Sequence, residues 1–173
     1  MNFGAARLGV WFLMPAPPPV DPPPPGGGGS VSIKAYMPGS TKRARDFEPG
    51  DELVLLNLEF NGTMPGTVVS NRYSEQNLLT LVSESGIELT CSDNTPITVE
   101  NGPGINSTEA LGRRLPVLDE QGFRWEEIVE VRPAGRGMVA TIYCKNQCYA
   151  AGDQPGRWIL THNGIGTEPI EKL

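Results

Sequence analysis

The last apolar run of the chain closes on Thr161-His162-Asn163-Gly164, and this is where the sequence holds its most reactive side chains. His162 is the only histidine among 173 residues, so no other side chain has an ordinary pKa near neutrality. Asn163-Gly164 is the pair most open to succinimide formation, because glycine offers little steric resistance. Cys144 and Cys148 flank Lys145-Asn146-Gln147, where a disulfide would be strained across a tight hairpin. Three thiols with no fourth ligand at a suitable spacing make a poor metal site, so neither a metal nor a cofactor is expected. The plain reading is small, semi-buried cysteines in a reducing compartment. Glu126-Glu127 and Asp119-Glu120 are adjacent carboxylates whose neighbours point to opposite faces of a strand, so they are expected to be solvated rather than to form acid/base pairs. Ser30 opens the first strand directly after four glycines, and its hydroxyl is a weak nucleophile without an activating base.

The elements that must position these groups are strands. β-branched, aromatic or alternating runs fall at residues 31–36, 53–60, 67–73, 78–82, 87–92, 97–99, 114–118, 125–131, 138–143 and 158–161. Turn chemistry separates them: Pro38-Gly39, Pro49-Gly50-Asp51, Asn61-Gly62, Ser85-Gly86, Asn101-Gly102, Gln121-Gly122 and Ala134-Gly135. About ten short strands at such spacing predict an all-β domain. The one helical candidate is a turn at 107–111, with Ser107 as cap and Glu109 in the first turn. Phe123, Trp125 and Trp158 are expected in core or strand-pair packing.

Composition sets the front of the chain apart. Eight of its 17 prolines fall within residues 15–25, followed by Gly26 to Gly29. Such a segment forms a stiff polyproline stalk and then a hinge, and it buries no core of its own. Ahead of it, residues 8–14 are an apolar run too short to span a bilayer. As a signal peptide the run is at the lower length limit, and proline follows at once. Residues 1–29 therefore read as a docking arm: an apolar plug of Leu8, Val10, Trp11, Phe12 and Leu13 on a stalk that includes Pro17, Pro18 and Pro19, engaging another chain. The net charge of −6, with no basic cluster larger than Lys42-Arg43-Ala44-Arg45, argues against nucleic acid as a partner.

Residues 30–163 resemble the Hint domain, the self-processing fold of inteins and Hedgehog autoprocessing domains. The residues that carry the resemblance are Glu48-Pro49-Gly50-Asp51, similar to an early turn of the family, Thr90 in the strand 87–92, and His162-Asn163 at the end. The resemblance implies a compact β fold in which the first residue of the domain is the nucleophile, here Ser30. A Thr-x-x-His motif would assist an acyl shift, matched at Thr90 but with Asp93 in the histidine position. Asn163 would cyclise while His162 supplies a proton. A carboxylate at Asp93 cannot donate as histidine does near neutral pH. Gly164 stands where splicing requires Cys, Ser or Thr. If the domain is active, Ser30, Thr90, His162 and Asn163 are the residues that act.

The sequence is thus identified as an all-β, Hint-like domain (30–163) between an N-terminal arm (1–29) and a tail (164–173). Short proteins of this kind with a Pro/Gly-rich front resemble virion proteins of tailed bacteriophages. That resemblance implies a processing-inactive structural or docking role at a tail tip or baseplate, assembled in the host cytoplasm, with other virion proteins as partners and an oligomeric assembly. The rival is a domain that cleaves its own chain at Asn163-Gly164 or before Ser30. A secreted β domain displaying a proline-rich stalk is a third reading.

Overall fold

Leu79, Leu81, Leu89 and Cys91 alternate with Thr80 and Thr90 along two neighbouring runs, and a period of two sends the apolar set to one face. The computed structural model describes residues 30–144 and 148–162, and there it is built from strands. In chain order they are β1 (Val31–Ser32), β2 (Glu52–Leu56), β3 (Thr63–Ser83), β4 (Glu88–Ser92), β5 (Pro96–Ile97), β6 (Ile105–Asn106), β7 (Arg114–Asp119), β8 (Gly122–Cys144), β9 (Cys148–Gln154) and β10 (Arg157–His162). All pairings are antiparallel, and the strands close into a barrel in the order β1-β4-β3-β2-β9-β10-β7-β8, with β3 also paired to β8. The architecture is all-β, as expected. The docking arm, including Leu8, Val10, Trp11, Phe12, Leu13, Pro17, Pro18 and Pro19, lies outside the described residues, as does the tail.

Several runs fold differently from their sequence pattern. The runs 67–73 and 78–82 belong to one strand, β3, and 125–131 and 138–143 to one strand, β8. The expected turn at Ala134-Gly135 is a bulge: Leu78 pairs with Gly135 and Leu79 with Pro133, leaving Ala134 unmatched, and Gly135 takes φ +77°. The run 31–36 pairs only at Val31–Ser32 before Tyr36 bridges to Gly152. The turn at 107–111 is a 3-10 turn, Ser107–Glu109, preceded by Asn106, whose N–H donates to Glu109 Oε2 at 3.1 Å. Ser107 is not its cap; its hydroxyl is buried and donates to Ser92 O at 2.8 Å. The Pro49-Gly50-Asp51 turn forms as its residues predict, with Gly50 at φ +97° and Asp51 Oδ2 accepting from Glu48 N at 2.8 Å.

The core joins residues from every long strand: Val31, Leu55, Leu81, Leu89, Leu115, Ile128, Ile142, Tyr149 and Ile159 are all buried. Phe123 and Trp125 pack edge to face with centroids 5.9 Å apart. Gly152 permits a close approach between main chains. A Cβ there would sit 2.1 Å from Arg157 O, so this point of β9 admits only glycine.

Glu126 departs from the solvated carboxylate its neighbours suggest. It is 4% exposed and accepts from the hydroxyls of Ser83 and Ser85 at 2.6 and 2.7 Å and from Arg124 Nε at 2.6 Å. Arg124 also grips Asp119 at 2.8 and 3.0 Å, so one guanidinium serves two carboxylates. Burial pushes Glu126 up, but the two hydroxyls and Arg124 more than offset it, and its pKa lies below the ordinary value; Arg124 holds Asp119 low as well. Depressed carboxylate pKa values contribute stability that is present above the unfolded value and is lost as pH falls through the folded one. Thermal unfolding of the wild type is therefore expected to be steady near neutrality and to weaken as pH drops through about 4. Arg124→Ala should lower stability by about 2 kcal/mol at pH 7, with the gap to wild type narrowing in acid as Glu126 takes up a proton. A gap that stays constant between pH 7 and the acid limb would contradict this account.

Candidate functional site

Ser30 is fully buried where the chain enters the barrel, and its main chain is held on both sides. Its N–H donates to Thr95 Oγ1 at 3.1 Å, and its carbonyl accepts from Ser92 N at 2.8 Å and from Thr95 Oγ1 at 3.1 Å. β1 makes this possible by lying between β4 and β8, with Val31 opposite both Cys91 and Ala140. The Ser30 hydroxyl meets Thr141 Oγ1 on β8 in a short hydrogen bond. Ser92 Oγ donates to Asn94 Oδ1 at 2.7 Å and lies 2.7 Å from Thr95 Oγ1. Ser107 completes the surround through Ser92 O, and its N–H donates to Thr95 O at 2.8 Å.

Among the described residues the side chains of this shell are neutral hydroxyls and the Asn94 amide. Cys91 is the nearest thiol, and burial first, then the charge of Asp153, push its pKa up to about 12, the hydroxyls of Thr95 and Ser107 opposing only in part. Cys144 is pushed up to about 12 by burial and Cys148 to about 11, also by burial. All three cysteines are buried and their pKa values are raised, so none is a thiolate near neutral pH. Among the described residues no group of His, Cys, Asp and Glu could hold a metal ion.

The pair that touches Ser30 is not the one the sequence match picks out. Thr90 is engaged elsewhere: its N–H and hydroxyl donate to the two carboxylate oxygens of Asp153 at 2.9 and 2.6 Å, and its hydroxyl lies 2.8 Å from that of Thr80. Asp93 turns toward β3, with Asn77 Nδ2 3.3 Å from its carboxylate. The same one-to-four spacing occurs two residues later, in Ser92 and Thr95, and these reach the Ser30 backbone, Ser92 through its N–H and Thr95 through its hydroxyl. Sequence reasoning missed Ser92, Thr95, Ser107 and Thr141. The only signal for them is the Asp93-Asn94-Thr95-Pro96 turn, which folds Thr95 back over the strand end.

At the other end of the domain, Thr161 of β10 is buried and its hydroxyl lies 3.4 Å from Pro96 O, the residue after Thr95. His162 pairs with Cys148 in the β9–β10 register. The backbone thus brings the end of β10 against the segment that cages Ser30. The His162 side chain and Asn163 lie outside the described residues.

The barrel superposes on solved structures. The DnaB intein from Synechocystis sp. PCC 6803 superposes with a TM-score of 0.69 at 16% identity, over 79% of this chain and 99% of the intein. The chain has the Hint fold. The gp41-1 intein is similar with a TM-score of 0.61 at 22% identity, over 79% of this chain and 99% of that one. A bacterial intein-like domain from Clostridium thermocellum matches with a TM-score of 0.59 at 19% identity, over 79% and 96% of the two chains. No protein-family profile and no curated protein matches the sequence.

In this Hint domain the geometry holds Ser30 but supplies no proton carrier among the described side chains. Attack by Ser30 Oγ on the preceding carbonyl would need a base for the hydroxyl and an acid for the departing amide nitrogen. Thr141 and Thr95 occupy those two places with hydroxyls, which can relay a proton but neither take nor give one near neutrality. Their observable effect is cohesion. Thr95→Val leaves the buried Ser30 N–H without an acceptor and is expected to lower unfolding stability by about 1–3 kcal/mol in urea titration. An unchanged midpoint would show that the cage does not hold the strand.

Proposed function

We propose that the chain is a docking component of a larger assembly, a phage tail tip or baseplate, whose Hint domain serves as a non-processing scaffold. The observation that carries the scaffold reading is Thr95 at the Ser30 amide: a hydroxyl stands where an acid must protonate the leaving nitrogen. The docking role draws on the Pro/Gly-rich composition of residues 1–29 and their apolar plug, and the phage setting on the resemblance of such short proteins to virion components. Intact mass after days at neutral pH should equal the full chain for wild type and for His162→Ala alike. Ser30→Cys, which improves the nucleophile without adding a base, should also resist thiol or hydroxylamine. Release of a fragment ending at Gly29 would refute the scaffold reading.

Self-cleavage at Asn163-Gly164 is the second reading, favoured by the contact of Thr161 with Pro96, which brings the end of β10 beside the Ser30 cage. Loss of residues 164–173 from wild type but not from His162→Ala would establish it, with the pH dependence of a group titrating near 6.5.

For the arm, burial of Trp11, Phe12 and their aliphatic neighbours would supply roughly 1.5–3 kcal/mol per side chain before ordering is counted. Deletion of residues 1–29 is expected to leave a folded β domain, by circular dichroism, that no longer joins its assembly. Unchanged incorporation would remove the arm as the anchor.

A further inference from the structure

The β2–β3 connection takes no part in the Ser30 cage, yet it is closely braced. Asn57 N donates to Gly62 O at 3.0 Å and Phe60 N to Asn57 O at 3.1 Å. The Asn57 side chain bonds Asn61 twice, accepting from its N–H at 3.1 Å and donating to its Oδ1 at 2.8 Å. This bracing presents apolar groups to solvent: Leu58 is 65% and Phe60 42% exposed. Phe60 also sits at φ +57°, in the left-handed region that a bulky side chain seldom occupies. A sequence selected only to connect two strands would place Gly or Asn there, as at Asn101 with φ +55°. Strain held in a fixed loop that points an aromatic outward marks a contact made with something else.

The far end of β3 offers a matching surface. Leu78 and Leu79 of β3 with Val131 and Pro133 of β8 line a shallow cavity of about 500 Å³, and Arg136 stands at its rim. Arg136 is largely exposed and reaches only Glu75, at 3.4 Å. The acidic rim residue Asp93 faces Asn77. Phe60 is too exposed to fill the cavity of its own chain. We propose that Leu58-Glu59-Phe60 of one copy docks into this cavity on a second copy, with Leu58 and Phe60 on the apolar floor and Glu59 against Arg136. The first copy is left with a free cavity and the second with a free finger, so repeating the same head-to-tail contact builds a ring or a filament. It stands whether or not Ser30 reacts.

Sedimentation velocity of the full-length protein from micromolar to millimolar concentration tests this. Wild type should self-associate. Phe60→Gly suits the left-handed backbone, so the fold is kept while the dissociation constant rises by about tenfold or more. Glu59→Arg should weaken association about tenfold, and Glu59→Arg with Arg136→Glu should bring it back to within roughly threefold of wild type. The proposal falls if wild type stays monomeric throughout, if Phe60→Gly associates unchanged, or if the double exchange recovers nothing. It falls equally if association depends on Trp11 and Phe12 but not on Phe60, which would assign the contact to the N-terminal arm.

Discussion

From Val68 opposite Cys144 to Ser83 opposite Ile128, β3 and β8 form one antiparallel ladder, broken in register near Val68, Leu78 and Val82. Those irregularities bend the two strands, so that each serves both halves of the barrel: β3 pairs with β2 at one end and β4 at the other, and β8 with β7 and with β1. Nothing else spans the molecule. β1 has only two residues, and it holds its place because the bent ladder leaves a slot between β4 and β8 for Val31.

That slot sets the chemistry available to Ser30. A residue entering a closed barrel must satisfy its backbone groups within the barrel, since water cannot reach them. The Thr95 hydroxyl and the Ser92 N–H do so, and both are small enough for full burial and need no countercharge. A histidine in the place of Thr95 would bring a titratable group into a buried site beside a thiol already pushed up to about 12. The hydroxyl cage is a stable ending for a strand and a poor apparatus for acyl transfer, for the same physical reason: its members stay neutral.

Where charge is buried, the molecule handles it differently. Glu126 keeps its charge because Arg124, Ser83 and Ser85 together replace the water it loses, and Arg124 is held in turn by Asp119. This network ties the β3–β4 turn to the β7–β8 hairpin, away from the Ser30 cage. Asp153 does the equivalent between β9 and β4 by receiving both donors of Thr90. These carboxylates are thus committed to joining strands.

The sequence by itself determined the all-β class, most turns and the Pro49-Gly50-Asp51 corner, because alternation and Gly or Asn at positive φ are local properties of the chain. It also marked Ser30 as the entrance and the Thr161–His162 end as its counterpart. It could not show that 67–73 and 78–82 are one strand, since a bulge at Ala134 of the partner decides the continuity. It gave no sign that Ala150-Ala151-Gly152 is strand either. These residues have little intrinsic preference for extended structure, and β9 is fixed by its pairing with β10 and β2, where Gly152 leaves room for Arg157 O. Which threonine reaches Ser30 was likewise beyond local reading. Thr90 and Thr95 are equally plausible by type, but one faces Asp153 and the other is folded back by a turn. Only the closed barrel, by setting β9 with Asp153 against Thr90 and the turn after β4 over Ser30, decides between them.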